Sequence, residues 1–252
     1  MIIELIIALC AAVAAGFVNA VAGGGTLITF PVLMALGLPP VAANVTNTVA
    51  LCPGYFGGIF GQRKDFASQK MRLLGILPIS ILGGIAGGLI LLNTGERTFN
   101  EIVPYLIFLA CVLLAIQVPV KKWMQSRLGK TRGSWVKRAA AAALLFLASV
   151  YGGYFGAGVS VIVIAILGLI YDDSLTSLNV LKQAISFSIN ISAAIYFAFS
   201  GQVHWIFALV MMLGAVSGGI IGGKFAGRIK PGLLRWIVIV TGCLVAIIYL
   251  IR

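Results

Sequence analysis

Between Ile2 and Leu36 the chain carries one charged side chain, Glu4, and from Ala139 to Ile170 it carries none. A helix rises about 1.5 Å per residue and a bilayer's hydrocarbon core is about 30 Å thick, so about 20 residues cross it once. Each run is too long for one crossing and offers no polar linker between two. Each must therefore break inside the apolar phase, where every unpaired backbone amide costs several kcal/mol. Glycines stand at the breaks: Gly23, Gly24 and Gly25 in the first run, Gly156 and Gly158 in the second. The first run divides into 2–22 and 26–36, and the second divides near Gly156 and Gly158. The second member of each pair, about 11 to 13 residues, suits a half-helix or a re-entrant segment rather than an ordinary span.

The rest of the chain reads the same way. Of its residues 61% are hydrophobic and 10% charged, which excludes a soluble core and makes this an all-α membrane protein. One membrane domain spans 1–252, because the longest polar connection, 121–138, is too short to be a separate domain. Further elements are expected at 41–61, 73–92 and 103–120, then 179–200, 205–223 and 234–251. Each half, 1–120 and 139–252, thus holds five elements, and an odd number turns the second half upside down.

Charge tests this count. Although the net charge is +12, the basic residues are neither lined along one helix nor interleaved with stacking aromatics, so nucleic acid is not the partner. They cluster at Arg63 to Arg72, in the 121–138 loop and at Lys224 to Arg235, which marks those loops as cytoplasmic and the partner as a lipid bilayer. Five plus five elements put all three clusters on one side. Counting each broken pair as one crossing gives eight spans in two four-helix repeats and puts the third cluster opposite the others. Inverted repeats with both ends outside are therefore preferred. The start of the chain lacks a basic n-region and reads as a first membrane helix rather than a cleaved leader. Cys10, Cys52, Cys111 and Cys243 stand singly in apolar segments and read as packing residues.

An offset of 135 links the halves. It carries Gly23 to Gly158, Asn44 to Asn179, Val45 to Val180, and GGIAGG (83–88) to GGIIGG (218–223). Glycines four apart on an apolar helix are the ordinary device for close helix contact, so the GGIAGG and GGIIGG pair is assigned to packing. Matched breaks at corresponding positions are the sequence pointer to a transporter's substrate site. A break exposes the first amides of the next half-helix, here Gly24, Gly25 and Thr26 or Gly158, Val159 and Ser160, and these suit an anion. Asn19, Asn44, Asn47 and Thr48 supply neutral donors nearby. In the second half Asn179, Lys182 and Gln183 take that place, with Ser186, Ser188 and Asn190 beyond; Lys182 stands apart from the loop clusters, and a cation inside a membrane segment is a functional candidate. The acidic residues fall in or beside loops, and His204 sits beside the interfacial Trp205.

The run AGFVNAVAGGGTLITFPVLMALGLPPVAANVTNTVAL, with YGGYFGAGVS and LNVLKQ later, closely resembles the TauE/SafE sulfite exporter family over essentially the whole chain. The resemblance implies a multi-pass bacterial cell membrane protein that moves sulfur-containing or other organic anions such as sulfite, sulfonates or sulfoacetate, commonly outward, and Lys182 falls in the family's second motif. No cofactor or metal is expected. An embedded enzyme lacks its motifs here: there is no His-Glu-x-x-His, no paired intramembrane aspartates and no Gly-x-Ser-x-Gly. The alternative reading is a non-transporting assembly subunit of a membrane complex, against which the two costly breaks argue. The glycine-rich faces allow packing within one chain or across a homodimer.

Overall fold

The computed structural model describes residues 1–21, 23–55, 69–127, 135–171, 173, 175–225 and 231–251. Among them are ten helices and no strand: α1 (Ile2–Val21), α2 (Thr26–Ala35), α3 (Pro40–Leu51), α4 (Lys70–Thr94), α5 (Glu96–Arg127), α6 (Trp135–Tyr154), α7 (Val159–Ile170), α8 (Leu175–Ala198), α9 (Trp205–Phe225) and α10 (Pro231–Ile251). Helices α1, α4, α5, α8, α9 and α10 are each long and apolar enough to cross a membrane. Their outward faces carry exposed Leu74, Phe108, Leu213 and Leu244, an apolar exterior that only lipid would tolerate. The expected split of each long run into a helix and a short partner is observed. One element is shorter than expected: α3 stops at Leu51, because Pro53 cannot continue the helical hydrogen bonding. Gly61, the expected end, lies outside the described residues.

The helix starts refine the offset. Ile2 and Trp135, like Thr26 and Val159, are 133 apart, whereas Pro40 and Leu175, Lys70 and Trp205, and Glu96 and Pro231 are 135 apart. The ends of α2 and α7, Ala35 and Ile170, already show 135. Two extra residues thus sit within α7, which has 12 residues against 10 in α2. Gly23 therefore corresponds to Gly156, and Gly25 to Gly158, correcting the single offset of 135.

The two sets of five interleave. Helix α1 packs on α9 and α6 on α4; α3 packs on α9 and α8 on α4; α3 meets α8, and α5 meets α10. Exchanging α1–α5 with α6–α10 turns this set of pairings into itself. Glycines make the two closest seams. A Cβ on Gly214 would meet the Leu9 carbonyl at 2.7 Å, one on Gly218 would strike the Val13 carbonyl, and one on Gly222 would meet the Phe17 carbonyl at 2.7 Å. In the other seam Gly83 and Gly87 press on the backbone at Phe146 and at Val150 and Tyr154. GGIAGG and GGIIGG are thus packing surfaces, used within the chain. Both seams advance in step, so α1 runs parallel to α9 and α4 parallel to α6.

Three links fix the senses of the helices. The Val41 amide, at the start of α3, donates to Glu96 Oε2 at 2.8 Å, and the His204 amide donates to Thr46 Oγ1 at 3.0 Å, so the α2–α3, α4–α5 and α8–α9 links share one side, called here the Glu96 side. Arg72 pairs with Asp173, which puts the α7–α8 link and the start of α4 together on the opposite, Arg72 side. Helix α1, parallel to α9, starts on the Glu96 side, and α2 returns to it. Helix α6 starts on the Arg72 side, and α7 returns there. Each broken run is a re-entrant hairpin, and the two hairpins enter from opposite sides.

Candidate functional site

The hairpin tips share one construction. Helix α1 ends where the Gly23 amide donates back to the Val18 carbonyl at 2.8 Å, and α6 ends where the Gly156 amide donates to the Tyr151 carbonyl at 3.1 Å. Directly after each closing bond the backbone turns through a positive φ, at Gly23 (85°) and Gly156 (78°), a region that favours glycine. Gly24 and Gly158 also have positive φ, 95° and 77°. There is no room for a side chain either: a Cβ on Gly24 would lie 2.7 Å from Leu114 Cδ1, and one on Gly158 would lie 3.2 Å from Leu113 Cβ. One stretch of α5 therefore supports both tips.

The tips meet. A Cβ placed on Gly23 would lie 3.5 Å from Ser160 Oγ, so the first turn of α7 abuts the end of α1. The starts of α2 and α7, with the positive ends of their dipoles, converge on this junction from opposite sides.

Side chains satisfy much of the unwound backbone. Asn19 Oδ1 accepts from the Gly25 amide at 2.7 Å, so one of the amides expected to face an anion is already taken. The Thr29 hydroxyl lies between the Gly25 carbonyl, at 3.2 Å, and Asn47 Oδ1, tying α2 to α3. Asn44, fully buried on α3, donates from Nδ2 to the Tyr154 carbonyl at 2.8 Å and so holds the end of α6 in the other half. The Tyr151 hydroxyl donates to the Ala157 carbonyl at 2.7 Å inside the second tip. Phe155 of that tip packs edge-on against Phe30 of α2, with centroids 5.4 Å apart. Among the described residues, the amides of Gly24, Thr26, Gly158 and Ser160 donate to no protein acceptor. The junction therefore holds N–H donors that have no acceptor among the described residues, and beside them the buried Asn44 Oδ1 has no donor there either.

A family model described as sulfite exporter TauE/SafE matches residues 8–249. The chain belongs to that family. A relative from Haemophilus influenzae, named "Probable membrane transporter protein", is 28% identical over 242 residues, covering 94% of this chain and 90% of the relative. "Probable membrane transporter protein YfcA" of Escherichia coli K12 is 24% identical over 236 residues, 93% and 85% of the two chains. "Probable membrane transporter protein ORF9" of a Sinorhizobium species is 26% identical over 249 residues, 94% and 88%. No solved structure matches the chain. As a TauE/SafE member the protein is a multi-pass membrane transporter.

The remaining candidates of this TauE/SafE chain fall on two levels. Asn47 lies seven residues past the start of α3 and Lys182 seven past the start of α8, each about 10 Å in by helical rise. Because those helices start on opposite sides, Asn47 stands at that depth from the Glu96 side and the half-buried Lys182 from the Arg72 side. Thr48 spends its hydroxyl on the Asn44 carbonyl at 3.0 Å, and Gln183 is half-buried beside Lys182. The side chain of Asn179 lies outside the described residues. Sequence reasoning missed Thr29 and Tyr151. Their one signal is position, a hydroxyl four residues after Gly25 and another six before Ala157.

Proposed function

We propose that this TauE/SafE transporter moves a small oxyanion, sulfite, a sulfonate or another organic anion, outward by alternating access, and that the anion rests at the junction of the two hairpin tips. The carrying observation is the meeting of the tips, Gly23 against Ser160, with two helix N-termini aimed at one place from opposite sides. The amides of Gly24, Thr26, Gly158 and Ser160 and the Ser160 hydroxyl are the donors, and Lys182 supplies one positive charge on the Arg72 side. Asn19, Asn44 and Asn47 hold the tips in shape. The halves 1–120 and 139–252 are read as inverted copies of one unit that rock about the junction, and the self-exchanging helix pairings support this. The Arg72 side is read as cytoplasmic, because Arg72, Lys122, Lys224 and Arg235 all fall at helix ends on that side.

Direction follows from voltage. The described carboxylates, Glu4, Glu96, Glu101 and Asp173, sit near helix ends or in a link, so no proton relay through the junction is invoked. Carrying one negative charge outward across about 150 mV gains about 3.5 kcal/mol, enough for a gradient of several hundredfold. Thermal stabilisation of the purified protein by sulfite, sulfate, methanesulfonate, thiosulfate and simple carboxylates tests the substrate class. Stabilisation by sulfite or the sulfonate, lost in Lys182→Ala, is expected; stabilisation by none of the five would refute an anion site.

A further inference from the structure

Arg72 lies outside the junction, in a setting of its own. Its guanidinium carbon sits 4.7 Å from the centre of the Tyr171 ring, Nη1 donates to Gln69 Oε1 at 3.2 Å, and the same nitrogen pairs with Asp173. Gln69 is buried, whereas the side chains of Arg72 and Asp173 are 40% and 24% exposed. The aromatic face, the amide and the carboxylate therefore hold the guanidinium together, while part of it stays open to water. A guanidinium fork binds the paired oxygens of any oxyanion as it binds a carboxylate. A part-exposed ion pair is weak in water and can exchange partners. Its place also matters: Tyr171 and Asp173 belong to the link that leads out of α7, whose other end forms the junction.

The exchange that relates the halves carries Arg72 to Phe207 and Asp173 to Leu38, so the Glu96 side has no such pair. The geometry points to Arg72 as a loading site for the transported oxyanion on the Arg72 side, where the arriving anion takes the guanidinium from Asp173. Tyr171 and Gln69 keep the fork in place through the exchange. This rests on the reading of the protein as an anion transporter.

The test measures the apparent KM for methanesulfonate in inside-out and right-side-out membrane vesicles. Arg72→Gln is expected to raise the KM from the Arg72 side about tenfold or more, as for a lost charged hydrogen bond, and to leave the KM from the Glu96 side within about twofold. Asp173→Asn removes the competitor and is expected to lower the KM from the Arg72 side about threefold, within the range of exposed ion pairs. Opposite signs from the two partners are the decisive signature, since a purely structural ion pair would suffer alike from loss of either. Should Arg72→Gln fail to fold, Asp173→Asn alone decides. A KM raised or unchanged in Asp173→Asn, or changed equally from both sides, overturns the proposal while wild-type flux leaves the transporter reading intact. Absence of any anion flux in wild type would overturn that reading first.

Discussion

Replacing Gly24 by alanine tests the junction directly, with Gly75→Ala as its measure of an ordinary membrane glycine. Gly24 has φ 95° and its new Cβ would lie 2.7 Å from Leu114 Cδ1, whereas Gly75 has nothing within 4 Å and helical backbone. A left-handed backbone costs an L-residue about 1–2 kcal/mol, and overfilling a packed contact costs about 1–3 kcal/mol more, so Gly24→Ala should lose about 2–5 kcal/mol. Gly75→Ala should instead gain about 0.5–1 kcal/mol, because helical glycine forfeits more chain entropy than alanine. The two single-methyl changes therefore differ in sign, and Gly24→Ala shifts the unfolding equilibrium by at least about thirtyfold at 1.4 kcal/mol per decade. Equilibrium unfolding in mixed micelles reads both. If Gly24→Ala were as stable as Gly75→Ala, the strained tip pressed against α5 would be refuted.

Three further substitutions separate packing, positioning and ligand contact. Gly218→Ala places a methyl onto the backbone of Val13, which cannot rotate away, so the α1–α9 seam should open and monodisperse protein should be lost in size-exclusion chromatography, while Gly232→Ala, with nothing within 4 Å, leaves the profile unchanged. Asn44→Ala strands the part-buried Tyr154 carbonyl at a cost of about 1–3 kcal/mol, and because Asn44 holds α6 rather than the anion, maximal flux should fall with KM nearly constant; a raised KM alone would return Asn44 to the substrate. Lys182→Ala should raise the KM for methanesulfonate about tenfold or more, the scale of a lost charged hydrogen bond, and an intact affinity would remove Lys182 from the site.

Much of this architecture is legible in the sequence, because the bilayer leaves few choices. Apolar length alone demands breaks in 2–36 and 139–170, and the odd count of elements together with the basic loops yields opposite senses for the two sets of five. The glycine seams are equally visible as GGIAGG and GGIIGG. What the residues do not announce is where side chains end up across elements. Asn44 looks like a substrate ligand until its amide is found on Tyr154, 110 positions away, and Asn19 looks like a donor until its carbonyl oxygen closes on Gly25. The two extra residues in α7 are hidden for a similar reason: apolar helices tolerate a lengthened turn without any change of pattern. Arg72 reads as one more loop cation, and its distinction comes only from Tyr171, Gln69 and Asp173 gathering round it.

The central claim, an anion carried through the junction on its own charge, is tested most directly by steady-state distribution of methanesulfonate across proteoliposomes at imposed voltage. Methanesulfonate keeps a single charge throughout, so the voltage term is unambiguous. A gradient of about fiftyfold per 100 mV towards the positive side is predicted, from about 2.3 kcal/mol per charge. Accumulation that ignores voltage and follows an imposed pH gradient would contradict it.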